Sequence, residues 1–237
     1  PKAQARLAEL GIPDDAVRVE VVARAALAAT LQGDLPPKAG GLAAVIGAGP
    51  GACTHGFNAL FRRRAGFVTN SHCTEKRFQP DPTTFAQKPG PVNVVADELI
   101  DPPLFPCIFG GVPFSCRFSD SVFAQYRRGE WPDKGFALGD VARPETRVFG
   151  GAAGSITIDP RRPFYRITGT FPAFFVGSTL DKVGQTTGHT TGVVWRTCVD
   201  ELVAPSPTEV WIMLCQGEVN FAGVGNGDSG SPVFRWN

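Results

Sequence analysis

The chain predicts an all-β fold of many short strands, forming one large domain or two small antiparallel barrels sharing a cleft, preceded by a helical extension. Three observations carry this. Its 237 residues suffice for one large domain or two small barrels. Glycine (28) and proline (21) are frequent while charged residues make up only 19%, a balance that suits many short strands joined by turns rather than long helices. From Gly41 onward, short apolar runs recur at irregular spacing with Gly/Pro turn signals between them.

Residues 1–31 differ from the rest, being rich in Ala, Leu and Arg with no cysteine and no aromatic residue. A helix is expected over 3–10, ended by Gly11-Ile12-Pro13. Val17, Val19 and Val21 alternate like a strand, and 23–31 again reads as helix. Gln32 to Gly41 has linker composition. Residues 1–38 therefore read as an N-terminal extension or the tail of a pro-segment, with a helical decoration packed on the domain as the alternative, 39–143 as the first barrel and 144–237 as the second, with 144–154 marking the boundary. The strands expected in the first barrel are 42–46, 52–60, 66–70, 92–97, 118–126 and 136–142. Those of the second are 155–159, 164–168, 181–185, 191–198, 209–216 and 232–234.

Six cysteines stand at 53, 73, 107, 116, 198 and 215. Six cysteines permit fifteen pairings, but local symmetry narrows them. Cys198 and Cys215 flank two strand-like runs that turn at Pro205-Ser206-Pro207, so a hairpin brings them face to face. Cys107 and Cys116 flank Phe109-Gly110-Gly111-Val112-Pro113, a natural loop tip. Cys53 and Cys73 remain to pair. Three disulfides predict an oxidising compartment and hence secretion.

Several classes are disfavoured. A net charge of +1 offers nothing for nucleic acid or an anionic membrane. No apolar run is long enough to span a bilayer. No C-x-x-C and no Cys/His cluster at zinc-ligand spacing occurs, so no metal and no cofactor is expected. The chain begins at Pro1 and its only methionine is Met213, so a start codon and any signal peptide are expected upstream.

Chemistry concentrates in two segments. Gly225-Asn226-Gly227-Asp228-Ser229-Gly230-Ser231-Pro232 sets a serine in a tight turn before an apolar strand, and Gly66-Phe67-Val68-Thr69-Asn70-Ser71-His72-Cys73 ends an apolar strand on a histidine and a cysteine. A serine hydroxyl needs a base within hydrogen-bond reach, itself held by a third group. Of three histidines, His72 is the candidate base; His55, inside a strand, and His189, in a Thr/Gly-rich turn, read as structural. Asp120, at the start of an apolar strand, is the candidate orienting carboxylate, with Asp97 and Asp101 as rivals. Chain order discriminates further. An α/β-hydrolase places acid and histidine after the serine, and here only Gly230 to Asn237 follow, with neither. Subtilisin order requires the aspartate before the histidine, where only Asp14, Asp15 and Asp34 in the divergent N-terminal part are available. The order His72, Asp120, Ser229 is that of the chymotrypsin template.

With those residues in place, Gly227-Asp228-Ser229-Gly230-Ser231-Pro232 resembles the nucleophile loop of chymotrypsin-fold serine proteases, and Thr69-Asn70-Ser71-His72-Cys73 their histidine box. Secreted bacterial members of the alpha-lytic protease and streptogrisin type are the most similar, over about residues 39–237, including the Gly184-Gln185-Thr186-Thr187-Gly188 turn. Asn70-Ser71 stands where small residues are usual and Ser231 where glycine is. The resemblance implies two Greek-key barrels and a serine endopeptidase. It implies His72, Asp120 and Ser229 as triad, the N–H groups of Gly227 and Ser229 as oxyanion hole, Asp228 as a buried brace and Gly223 near the base of the specificity pocket. It implies a polypeptide substrate, no cofactor and a monomer. It also implies strands and a helix beyond Asn237 that complete the second barrel, which in this sequence is incomplete. A non-catalytic protease-like binding module, and less directly an esterase, are the competing readings.

Overall fold

A computed structural model describes residues 29–36, 38–47, 49–87, 93–130, 136–171, 173–206 and 209–236. The expected helix over 3–10 and the strand around Val19 lie outside the described residues. Of the helix expected over 23–31, the described end is not helical: Thr30 forms a β-bridge with Thr157. Among the described residues no helix is long and apolar enough to cross a membrane.

The strands run, in chain order, Lys38–Gly40 (β1), Ala43–Ile46 (β2), Ala52–Thr54 (β3), Asn58–Phe61 (β4), Arg64–Thr69 (β5) and Thr84–Ala86 (β6). Then come Val94–Ile100 (β7), Phe105–Phe109 (β8), Val112–Arg117 (β9), Val122–Tyr126 (β10), Phe136–Ala142 (β11) and Arg147–Phe149 (β12). Phe164–Arg166 (β13), Thr179–Gly184 (β14), Gly188–Ser206 (β15), Glu209–Phe221 (β16) and Val233–Phe234 (β17) complete the series.

Two curled sheets result, the half-barrels of a chymotrypsin-like fold. The first has order β3-β2-β6-β7-β10-β5-β4, antiparallel at every step. Its inner face buries Phe67, Phe85 and Tyr126 around the Cys53–Cys73 disulfide. Each such large side chain contributes about 1.5–3 kcal/mol through burial. Alternation places Ala65 and Phe67 of β5 inward. Gly66 lets the carbonyl of Ala124 on β10 come closer than any Cβ would allow.

The second sheet has order β17-β14-β15-β16-β9-β8, with β12 against β15. A three-stranded sheet, β1-β11-β13, closes beside it. Their shared core holds Leu42, Val141, Tyr165, Val183 and Phe234, together with Leu31 and Ala39. The described residues before Gly40 thus contribute Leu31, Leu35 and Ala39 to this core: Leu31 is fully buried and donates its N–H to Ile156, and Lys38 and Ala39 lie in β1.

Most expected strands are present, but the run expected at 52–60 is split into β3 and β4, and that expected at 155–159 forms only isolated bridges at Thr157 and Ile158. The runs expected at 191–198 and 209–216 extend into a hairpin of 19 and 13 residues, whose register shifts around Cys198 and Cys215. The segment expected as a loop tip between Cys107 and Cys116 is itself a hairpin, β8–β9, and β9 pairs in parallel with β16 through Ile212 and Met213. A sheet edge left open by β16 is thereby covered. All three expected disulfides, Cys53–Cys73, Cys107–Cys116 and Cys198–Cys215, are formed.

Candidate active site

Strand β5 stops at Thr69, and Ser71–Cys73 form a 3₁₀ turn that lifts His72 out of the sheet. The turn is tied back to β3 by the Cys53–Cys73 disulfide. Asp120 precedes β10, the strand paired with β5 in the register Val122 to Thr69, so the ends of two neighbouring strands bring the residues together. His72 Nδ1 lies 2.5 Å from Asp120 Oδ2, and the His72 N–H donates to Oδ1 at 3.2 Å. Asn70 Nδ2 donates to the carbonyl of Asp120 at 2.6 Å and to Oδ2 at 3.2 Å. A carboxylate accepting at Nδ1 leaves Nε2 as the basic nitrogen. Burial pushes the Asp120 carboxyl up, but the His72 ring, its backbone N–H and the nearby Arg117 charge outweigh this and hold it below the usual aspartate value.

The serine loop reaches the same ridge from the other sheet. The Ser229 carbonyl accepts the N–H of Thr54 at 2.7 Å, and Thr54 Oγ1 donates to the Gly227 carbonyl at 2.8 Å. Thr54 adjoins Cys53, whose disulfide partner Cys73 adjoins His72. The structure thus brings His72 and Asp120 into contact and anchors the Ser229 backbone one β-strand away. The Ser229 hydroxyl has no hydrogen-bond partner among the described residues, and catalytic hydrogen bonds are often loose before substrate binds. The N–H groups of Gly227 and Ser229 also have no acceptor among the described residues, while that of Asp228 between them donates to Gly225. Gly227 has φ +97°, and a Cβ there would run into Gln185.

Behind the loop, Asp228 is 4% exposed and accepts from Lys182 Nζ (3.0 Å), Thr187 Oγ1 (2.5 Å) and the N–H groups of Thr186, Thr187 and Gly225. Burial raises the Asp228 carboxyl, but Thr187, Lys182 and the Gly225 N–H more than offset it, so the group stays ionised below the usual range. Gly223, expected near a pocket base, is buried, and its carbonyl accepts from Thr187 and Thr190. A cavity of about 230 Å³ between the sheets is lined by Asp120, Thr69 and Asn70 on one side and by Gly230, Ser231 and Pro232 on the other.

The other histidines are structural. His55 is buried against Asn58 and Tyr126, and burial pushes it down to about 3, so it is neutral. His189 sits between Asp181 and Tyr165, fully buried. Asp97 pairs with exposed Arg127, and Asp101 with buried Arg117; neither reaches His72. Cys53, His72 and Cys73 cluster closely enough to suggest a metal, but the two sulfurs are joined to each other and offer no thiolate. The sequence did not mark Asn70 as a partner of Asp120, Lys182 of Asp228 or Arg117 of Asp101. Each is an ordinary polar residue until the fold supplies its acceptor.

No family model matches the sequence. No curated protein matches it either. Solved structures do. The chain is similar to a glutamic acid-specific serine protease that uses a histidine triad in substrate binding (19% identity, TM-score 0.51, 83% of this chain and 79% of that one). It is similar to a Nocardiopsis protease, NAPase (20%, 0.50, 83% and 78%), and to Cellulomonas bogoriensis chymotrypsin (20%, 0.50, 83% and 76%). The fold is that of chymotrypsin-fold bacterial serine proteases, at low identity.

Proposed function

We propose that the protein is a serine endopeptidase. Ser229 Oγ attacks a peptide carbonyl, and His72 Nε2 takes its proton and passes it to the leaving amine. Asp120 holds the imidazole and stabilises its charged form, and water then hydrolyses the acyl-enzyme. The N–H groups of Gly227 and Ser229 stabilise the oxyanion. The observation that carries this is the doubly bonded His72–Asp120 pair, placed on the ridge that also anchors the Ser229 loop. The two uncommitted N–H groups flanking Asp228, and the protease structures that share the fold, support it. A polypeptide substrate, a secreted location in keeping with the three disulfides, and a monomer belong to the same proposal.

A protease-like binding module without activity is the second reading, favoured by the unbonded Ser229 hydroxyl. A fluorophosphonate probe separates the two. The disulfide-intact protein is expected to be labelled once, at Ser229, and to cleave an unstructured polypeptide, whereas Ser229→Ala does neither while keeping its fold. Absence of labelling and cleavage by the wild-type protein selects the binding module.

A further inference from the structure

Beneath His72 and Asp120 lies a buried guanidinium that no motif marks. Arg117 ends β9; its side chain is 3% exposed and that of its partner Asp101 0%. Its Nη2 donates to Asp101 Oδ1 at 2.8 Å and to the Ser121 carbonyl at 2.6 Å, while Nη1 donates to Ser71 Oγ at 3.1 Å. Ser71 directly precedes His72, and Ser121 directly follows Asp120. One planar fork therefore grips both backbone segments that carry the pair. Ser71 Oγ donates onward to Asp101 Oδ2 at 2.7 Å, and the Phe78 N–H donates to the same oxygen at 2.8 Å. The Phe78 ring covers the guanidinium at 5.1 Å and meets Trp211 of β16 edge-on at 4.7 Å, which closes the site to water.

Stability alone does not account for this arrangement. A buried ion pair is often matched or bettered by apolar residues of similar volume, because both charges must be stripped of water. What an apolar replacement cannot do is bond three separate segments at once and fix their spacing. Resting on the reading of His72, Asp120 and Ser229 as a triad, we propose that Arg117 is a positioning residue for the reaction, which sets the spacing and orientation of the His72–Asp120 pair through Ser71 and Ser121. It touches no reacting atom.

Two variants test this. Arg117→Lys keeps the charge but cannot reach Asp101, Ser71 and Ser121 together. The double variant Arg117→Met/Asp101→Asn removes both charges and leaves neither uncompensated. Turnover is counted per active site titrated with the fluorophosphonate, so that misfolded protein does not enter. Both variants should lose about 10- to 100-fold in kcat with KM within about twofold, the size expected for a misplaced catalytic group. In both, the far-downfield proton resonance of the His72 Nδ1–H should move or broaden. Should the Arg117 variants fold poorly, Ser71→Ala removes only the contact next to His72 and is expected to give the same signature at smaller size. Folded variants with wild-type kcat per site and an unmoved resonance overturn the proposal. If the wild-type protein neither labels nor cleaves, the triad reading fails, and the resonance alone still decides whether Arg117 positions the pair.

Discussion

Lys182 Nζ lies 3.0 Å from Asp228 Oδ2, both side chains buried directly behind the loop that carries Ser229. The lysine comes from β14 and the aspartate from the turn before β17, so the pair ties the nucleophile loop to the second sheet. Asp228→Ala strands the Lys182 charge and leaves the Thr186, Thr187 and Gly225 N–H groups without their acceptor. We expect a loss of about 3–5 kcal/mol in urea unfolding. Lys182→Met leaves the carboxylate its hydroxyl and three N–H donors and should cost less. The order of the two is the test: equal losses would mean that the backbone donors do not matter. The folded Asp228 value lies below the 3.8 of a free aspartate. Its contribution is therefore fully present above pH 3.8 and lost as pH falls through the lower folded value.

Asp120→Asn keeps the shape at His72 but presents an amide where the carboxylate accepted from Nδ1. The imidazole then takes the wrong tautomer or orientation. Hydrolysis should fall by roughly 10⁴ in kcat, with the unfolding midpoint nearly unchanged. A tenfold loss or less would show that Asp120 does not orient the base.

Gly227→Ala places a Cβ against Gln185 at a backbone φ of +97°, a region that non-glycine residues avoid. The loop must move, and with it the Gly227 N–H. Turnover on a good peptide substrate should drop by about 10²–10³, as for loss of one oxyanion donor. Fluorophosphonate labelling should slow in parallel; labelling at the wild-type rate would place the oxyanion elsewhere.

Glu98 on β7 has both carboxylate oxygens buried close to the Asp81 carboxyl. Burial, then Asp81, raises its pKa from 4.5 to about 8. A raised folded value means that the folded state holds a proton which the unfolded state has released. Stability from this group is fully present below pH 4.5 and declines as pH rises toward 8. Glu98→Gln should leave the thermal midpoint unchanged at pH 4 and raise it at pH 8. A midpoint lowered at both values would show that the charge is compensated in the wild type.

Most strands of the two sheets were legible because their signals are local: short apolar runs such as β5 and β10, the Thr/Val-rich start of β15, and Gly/Pro punctuation between them. The disulfides were legible because Cys107/Cys116 and Cys198/Cys215 flank their own turns. The β8–β9 hairpin was not, since Phe105-Pro106-Cys107-Ile108-Phe109 reads as a poor strand on its own and is held by β9, which pairs in turn with β16 far later in the chain. Long-range packing likewise hid the placement of Leu31 and Ala39 in the second core, which linker composition after Leu31 argued against.

What the sequence determined by itself is the order of the two candidate segments, a histidine box before a serine loop, each marked by residue types and spacing that are local properties of the chain. Only the tertiary structure decided among equals. Asp97, Asp101 and Asp120 are three carboxylates near strand ends, and the register of β10 on β5 puts Asp120 against His72 while Asp101 turns to Arg117. It likewise assigned Lys182 to Asp228. Charge pairing depends on distances of a few ångströms between segments far apart in the chain, and those distances exist only once the two sheets have closed on their cores.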